Sequence, residues 1–196
     1  MENETATKII PDLETNLVQY VREKLREKLD SSSIKPKWDW QGAPVYEIGD
    51  SENGYVVLWH DNEVQYFVRV RRIRHNGFRL GRQVLLWRNP KSDVTNGFAQ
   101  KVFFSVLLPK YGALIADKEQ TKNGSAFWGN AIVSAFDRNL HVYFLDRRSR
   151  KTQLTELLDE HDLGKYRKEL WGTTPSHLLT FAIISKTPLV LRKKGS

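Results

Sequence analysis

The stretch Gly112–Asp146, GALIADKEQTKNGSAFWGNAIVSAFDRNLHVYFLD, carries the clearest secondary-structure pattern in the chain. Ala113–Ala116 is a short apolar run of strand length, and a polar loop over Asp117–Ser125 follows it. Apolar residues then recur at helical spacing over Ala126–Arg138. The composition of His141–Leu145 indicates a second buried strand. This order predicts two neighbouring parallel strands joined by a right-handed connection.

Alternating residues upstream of this stretch predict three or four antiparallel strands. They lie over Pro44–Ile48, Tyr55–His60, Val64–Arg74 and Gln83–Trp87, and Asp61-Asn62 forms a hairpin turn between the second and third. The alternation slips near Arg71–Arg72, which indicates a bulge or a strand end there. Leu178–Ile184 is a further apolar strand, and Leu189–Leu191 is predicted to form a last strand. The predicted fold is α+β (mixed α/β): a twisted, mostly antiparallel sheet with one strand-loop-helix-strand parallel unit and helices on its faces.

Three further helices are predicted. An amphipathic N-terminal helix, N-capped by Asp12, runs to about Leu29 after a loose tail, and it could pack on the domain or pair with a second copy in a homodimer. Gly97–Leu108 has helical spacing and is followed by Pro109 and Gly112. Asp162–Leu170 is a short helix, and residues 154–158 add a helical turn. The expected organisation is a tail, helix and connector over residues 1–42 and a single α/β domain over residues 43–196.

Composition narrows the functional classes. The chain has 196 residues and no cysteine, which excludes disulfides, Cys-ligated zinc and a thiol nucleophile. The five histidines have no metal-ligand spacing, so no metal site is predicted. No apolar run approaches the roughly 20 residues that span a bilayer, and the N-terminus has no secretory h-region. We therefore expect a cytoplasmic protein without a membrane partner. Its small, basic character suits a phage or mobile-element protein.

The element order resembles the GNAT N-acetyltransferase superfamily over Tyr55–Leu191. That family has a Gln/Arg-x-x-Gly-x-Gly/Ala loop after its central strand, whose backbone N–H groups bind the pyrophosphate of acyl-coenzyme A. Gly124 and Ala126 keep the Gly-x-Gly/Ala spacing, but Gln120 lies one residue too far away and Thr121 occupies its place. The resemblance implies an acyl-coenzyme A (acyl-CoA) cofactor bound by Lys122, Asn123, Gly124, Ser125 and Ala126. Alternatively, Ser125 is an ordinary N-cap and Gly124 merely permits the turn.

The resemblance also implies catalytic residues. A carboxylate deprotonates the amine in such enzymes, and Asp117 and Glu119 lie at the exit of the predicted central strand. Tyr166 matches by position the tyrosine that protonates the departing thiolate. The alternatives are solvated loop carboxylates and a packing tyrosine. The same acids with Lys122, and a further acid from Glu47 or Asp50, could instead bind a divalent cation as in a nuclease.

An arginine-rich segment supports a rival function. The formal net charge is +8, and seven arginines are interleaved with aromatic residues along the predicted strands: Arg69, Arg71, Arg72, Arg74, Arg79, Arg82 and Arg88. Such a face suits nucleic-acid phosphates and stacked bases, or it is a solvated face with ion pairs. The leading hypothesis is an acyl-CoA-dependent N-acyltransferase-like protein of unknown acceptor. The alternatives are a non-enzymatic nucleic-acid- or protein-binding module, and a transferase-like fold that has lost catalysis.

Overall fold

The structure is a computed structural model that describes residues 5–50, 52–72, 82–116, 122–149, 152–171 and 179–189. For residues 5–14, 83, 122 and 123 it describes the backbone alone. The helices are α1 Thr5–Asp30, α2 Phe98–Val102, α3 Leu108–Tyr111, α4 Lys122–Asp137 and α5 Glu160–Trp171. A π-helical turn, Phe103–Leu107, joins α2 to α3, so that residues 98–111 form one helical run. None of the described helices is long and apolar enough to cross a membrane.

Within the described residues, nine strands form one mixed sheet. They are β1 Trp38–Trp40, β2 Ala43–Gly49, β3 Asn53–His60, β4 Glu63–Arg72, β5 Arg82–Arg88, β6 Ala113–Ala116, β7 His141–Asp146, β8 Gln153–Leu157 and β9 Thr180–Ser185. Their order is β1-β2-β3-β4-β5-β6-β9-β7-β8. The described sheet is mostly antiparallel, and β5–β6 is its parallel pair. The predicted α+β class is therefore confirmed.

The prediction that β6 and β7 are parallel neighbours is wrong. β9 lies between them and is antiparallel to both, pairing Ile183 with Ile115 on one side and with Tyr143 on the other. All six residues of β9 are buried, as expected for a strand covered on both faces. The parallel partner of β6 is instead β5, with Val84 opposite Ala116, and the helical run 98–111 connects them. The parallel unit thus lies one strand earlier in the chain than predicted.

Several element boundaries also differ from the predictions. α1 begins at Thr5, so Asp12 lies inside the helix rather than capping it. Pro109 does not end the helical run: it lies at the start of α3, directly after the π-helical turn, and the run ends at Gly112, whose φ is +76°. Residues 153–157 form strand β8 rather than a helical turn, because all five pair with β7. The predicted last strand at Leu189–Leu191 lies largely outside the described residues.

The chain divides into two compact units, Met1–Arg69 with Leu86–Ala99 and Val70–Leu85 with Gln100–Ser196. In the first unit Val21 and Leu25 of α1 are fully buried, and the ring of Phe67 packs against Tyr55 and stacks on Trp87. In the second unit an apolar cluster covers one part of the sheet. Its members are Ala113, Ile115, Tyr143, Leu145, Phe181 and Ile183. The burial of these groups stabilises the units by about 25 cal/mol per Å² of apolar surface.

A pair of glycine substitutions tests the backbone geometry. Gly49 has φ of +111°, and an added Cβ would lie 2.1 Å from the carbonyl oxygen of Asn53. Gly49→Ala is therefore expected to lower the free energy of unfolding by about 2 kcal/mol or more. Gly129 lies inside α4, and an added Cβ there meets nothing within 4 Å. Gly129→Ala should raise that free energy by about 0.5–1 kcal/mol in urea titrations. Equal effects of the two substitutions would contradict the structure.

Candidate functional site

The predicted cofactor residues lie at a helix N-terminus, but not in a loop. Gly124, Ser125 and Ala126 belong to the first turns of α4, which begins at Lys122, four residues earlier than predicted. The first N–H groups of a helix have no intrahelical acceptor, so polar residues are favoured in this turn. The apolar helical spacing starts only where α4 packs against the core. Asp117 and Glu119 lie outside the described residues, so their proposed role stays a prediction.

The strand pairing directs attention to an earlier loop. In a parallel strand-helix-strand unit, ligands with phosphates bind the loop after the first strand, at the N-terminus of the helix. That first strand is β5, since β5 and β6 are the parallel pair. The corresponding loop spans residues 89–97, and α2 follows it at Phe98. The candidate site is therefore the second half of this loop with the start of α2, which we call the α2 cradle (residues 94–99).

The first half of the loop is anchored to strand β4. Asn89 donates its backbone N–H to the carbonyl oxygen of Gln65 at 2.9 Å, and its side-chain amide donates to Oε1 of Gln65 at 3.2 Å. The same Asn89 side chain accepts a bond from the N–H of Lys91 at 3.0 Å, forming an Asx turn. These bonds set the direction in which the chain leaves β5.

The second half of the loop is fixed by hydrogen bonds from Trp40 and within the loop itself. The indole N–H of Trp40 donates to the carbonyl oxygen of Val94 at 3.0 Å, and the hydroxyl of Thr95 donates to the carbonyl oxygen of Ser92 at 3.1 Å. The N–H of Phe98 donates to the carbonyl oxygen of Thr95 at 3.2 Å. Thr95 is only 3% exposed. The α2 cradle is thus preorganised by bonds within its own unit.

Aromatic packing holds the start of α2. The ring of Phe98 is fully buried and makes edge-to-face contacts with Trp40 and Tyr66, at centroid distances of 5.7 and 5.2 Å. Such pairs contribute about 0.5–1.5 kcal/mol each beyond area burial. Burial also raises the pKa of Tyr66, while the positive charge of Arg88 acts weakly in the opposite direction. The first residue of the helix therefore cannot shift without disturbing the core.

The α2 cradle contains a Gly-x-Ala sequence that the sequence reasoning missed. Gly97 and Ala99 have the same spacing as Gly124 and Ala126, and Val94 stands where the motif has Gln or Arg. Gly97 has φ of +73°, a conformation that glycine adopts without strain. The guanidinium of Arg88 lies 3.4 Å from Oδ1 of Asn96. The signal that could have found this site is the same motif spacing directly before a helix.

The described arginines do not share one face. Arg69 follows Phe67 by two residues in β4, so both lie on the face where Phe67 stacks on Trp87. Arg88 is adjacent to Trp87 in β5 and therefore points to the opposite face. In the second unit, Arg82 lies over the ring of Tyr111 at 4.9 Å, and Arg71 and Arg72 are exposed at the end of β4. Arg74 and Arg79 lie outside the described residues.

Other titratable groups have local partners. The half-buried ring of Tyr166 stacks on Phe144 at 4.3 Å, which is the packing role considered above. His141 and Glu156 form a pair on adjacent strands, with 2.7 Å between Nδ1 and Oε1. No cluster of three or more His, Asp or Glu side chains that could hold a metal occurs in the part of the chain that the structure describes. Glu47 and Asp50 thus form no such cluster with other described residues.

No protein-family model, curated protein or solved structure matches the chain.

The support beneath the α2 cradle has a pH dependence that can be measured. The pKa of Tyr66 is raised in the folded state, so this phenol stays protonated where the unfolded chain ionises, above about pH 10. Its contribution to stability is present below that pH and is lost as the pH rises. In wild type, this loss is expected to lower the free energy of unfolding by up to about 1.4 kcal/mol per pH unit. Tyr66→Phe should therefore show a smaller fall in that free energy between pH 8 and 11. Tyr20→Phe, at a position 46% exposed, is the control. Identical pH profiles of wild type and Tyr66→Phe would contradict the burial of this phenol.

Proposed function

We propose that the chain is an acyl-CoA-dependent N-acyltransferase of GNAT type, and that the α2 cradle binds the pyrophosphate of the cofactor. One observation carries the proposal: β5 is the fifth of the nine strands, and the loop after it precedes the helix that leads to its parallel neighbour β6. The resembling family binds pyrophosphate at the loop after its central strand. The same family motif, in its Gly-x-Ala part, stands there as Gly97-Phe98-Ala99.

The start of α2 has several features that favour the binding of an anion. The N–H of Phe98 is already bonded to Thr95, but the next N–H groups in the first turn of a helix have no intrahelical acceptors and carry the positive end of the helix dipole. The run that begins at Phe98 continues through the π-helical turn to Tyr111, so several turns of peptide dipoles are aligned. Gly97 and Ala99 carry no large side chain that would keep a phosphate from the backbone. Arg88 and Lys91 add positive charge beside the loop.

The proposed reaction transfers an acyl group from sulfur to nitrogen. The amine attacks the thioester carbonyl, the C–S bond breaks, and the amine proton and the coenzyme A thiolate require a base and an acid. By the resemblance, Asp117 or Glu119 is the candidate base and Tyr166 is the candidate acid.

The rival proposal, nucleic-acid binding by the arginine-rich strands, has less support. Arg69 and Arg88 point to opposite faces of the sheet, and Arg82 lies on an aromatic ring of its own unit. Consecutive Arg71 and Arg72 also alternate between faces. A continuous row of stacking and phosphate-binding residues needs its members on one face.

A pair of charge substitutions tests the location of the cofactor. Ala99 and Ala126 hold the last position of the two Gly-x-Ala sequences, in α2 and α4. Aspartate near a helix N-terminus stabilises the helix but repels a phosphate, so the folded state is retained. Ala99→Asp is expected to weaken acetyl-CoA binding at least about fivefold in calorimetric titrations, and Ala126→Asp should leave the affinity within about twofold.

The three other outcomes are equally informative. Loss of binding with Ala126→Asp alone would place the cofactor at α4, as the sequence first indicated. If both variants bind like wild type, neither helix start holds the pyrophosphate. If acetyl-CoA at millimolar concentration neither binds nor raises the melting temperature of wild type, the proposed function is wrong, because a ligand of the folded state must stabilise it.

A further inference from the structure

A cleft lies between α1 and strand β5 in the first unit. Its volume is about 530 Å³, within the range of small-molecule sites. The helix contributes Thr15, Val18, Gln19, Arg22 and Arg26, and the strand contributes Trp87. These helix positions recur every three or four residues, so they form one stripe. The stripe is distinct from the packing residues Val21 and Leu25, which are fully buried. Helix α1 therefore turns a mainly polar stripe toward a tryptophan.

Trp87 forms a fixed platform in this cleft. One side of its ring stacks on Phe67 at 5.6 Å with an interplanar angle of 15°, and Phe67 is fully buried. Because Phe67 occupies one side, the remaining surface of the half-buried Trp87 is the part that lines the cleft. A stacked, immobilised indole offers a planar ligand a contact with little loss of side-chain entropy.

The polar wall is preorganised and has spare hydrogen-bonding capacity. Arg22 pairs with Glu63, and Arg26 donates to the carbonyl oxygen of Asn62 at 3.1 Å while lying over Trp59. Each guanidinium has five N–H donors, and among the described residues each makes one hydrogen bond. Nε of Arg22 is buried and has no acceptor within the described structure. Both arginines are thus held in place with donors to spare.

The charges limit the class of ligand. Glu23 also lines the cleft and accepts a bond from Gln19 at 3.0 Å. With Glu63 paired to Arg22, the wall is close to neutral and presents both donors and acceptors. A polyphosphate would meet no excess of positive charge there. A planar ring with a polar edge, carrying at most one phosphate, matches the wall and the platform.

We infer that this cleft binds a nucleotide unit, with the base stacked on Trp87 and its polar edge or phosphate on Arg22 and Arg26. Stacking of a base on an aromatic ring stabilises the complex, and arginine adds to it through hydrogen bonds and cation–π contact. The unit belongs either to a free nucleotide or to a single strand of nucleic acid, since the recognised chemistry is the same. This site is separate from the α2 cradle and does not depend on the proposed acyltransferase function.

A matched pair of tryptophan substitutions tests the cleft without removing Trp87, Arg22 or Arg26. Thr15 lines the cleft and Asn16 does not, and both side chains are exposed. Thr15→Trp fills the cleft, whereas Asn16→Trp adds the same ring outside it. Binding of adenosine 5′-monophosphate and of a single-stranded oligodeoxyadenylate is measured by calorimetry. Thr15→Trp should weaken both at least about tenfold, and Asn16→Trp should leave them within about twofold.

Two further comparisons distinguish a free nucleotide from a single strand and test whether the probes bind at the α2 cradle instead. Tighter binding of the oligonucleotide than of the nucleotide indicates a single strand, and equal affinities indicate a free nucleotide. Ala99→Asp should leave both affinities unchanged. The inference is overturned if wild type binds neither probe at millimolar concentration, if the two tryptophan variants bind alike, or if Ala99→Asp alone abolishes binding. The last result would place the nucleotide at the α2 cradle and would support the proposed function.

Discussion

Two parallel neighbours cannot be joined by a tight turn, and the arrangement of β5 and β6 follows from this constraint. The chain must travel back along the sheet before it enters β6, which requires a connection of a dozen or more residues, most simply a helix. Here the connection contains the helical run 98–111. It necessarily starts beside the end of β5, so a loop and a helix N-terminus stand together at that strand. The proposed phosphate cradle is a consequence of the strand pairing.

The aromatic residues of the first unit hold two candidate sites by different contacts. Phe98 packs on Trp40 and Tyr66 and fixes the start of α2. Phe67 stacks on Trp87 and fixes the platform of the α1 cleft. Because each site has its own buried ring beneath it, the two can be changed separately. This independence is what allows a charge at Ala99 and an added ring at Thr15 to report on different ligands.

Sequence reasoning predicted most of the helices and strands and the fold class, but not which strands are neighbours in the sheet. Local patterns predict strands such as β2 and β7 because alternation and apolar runs are properties of a few residues. The insertion of β9 between β6 and β7 depends on pairing across about forty residues of chain to β7 and about seventy to β6, which no local pattern encodes. The same holds for the candidate site. The Gly-x-Ala motif was recognised at Gly124, but its copy at Gly97 could be preferred only once β5 was known to be the parallel partner of β6.

The most direct measurement of the central claim is the set of backbone amide shifts in a ¹H–¹⁵N NMR spectrum during titration with coenzyme A. The largest shifts are expected on residues 96–100, which comprise the end of the loop and the start of α2. Largest shifts on residues 122–126, or none on either segment at saturating ligand, would contradict the central claim.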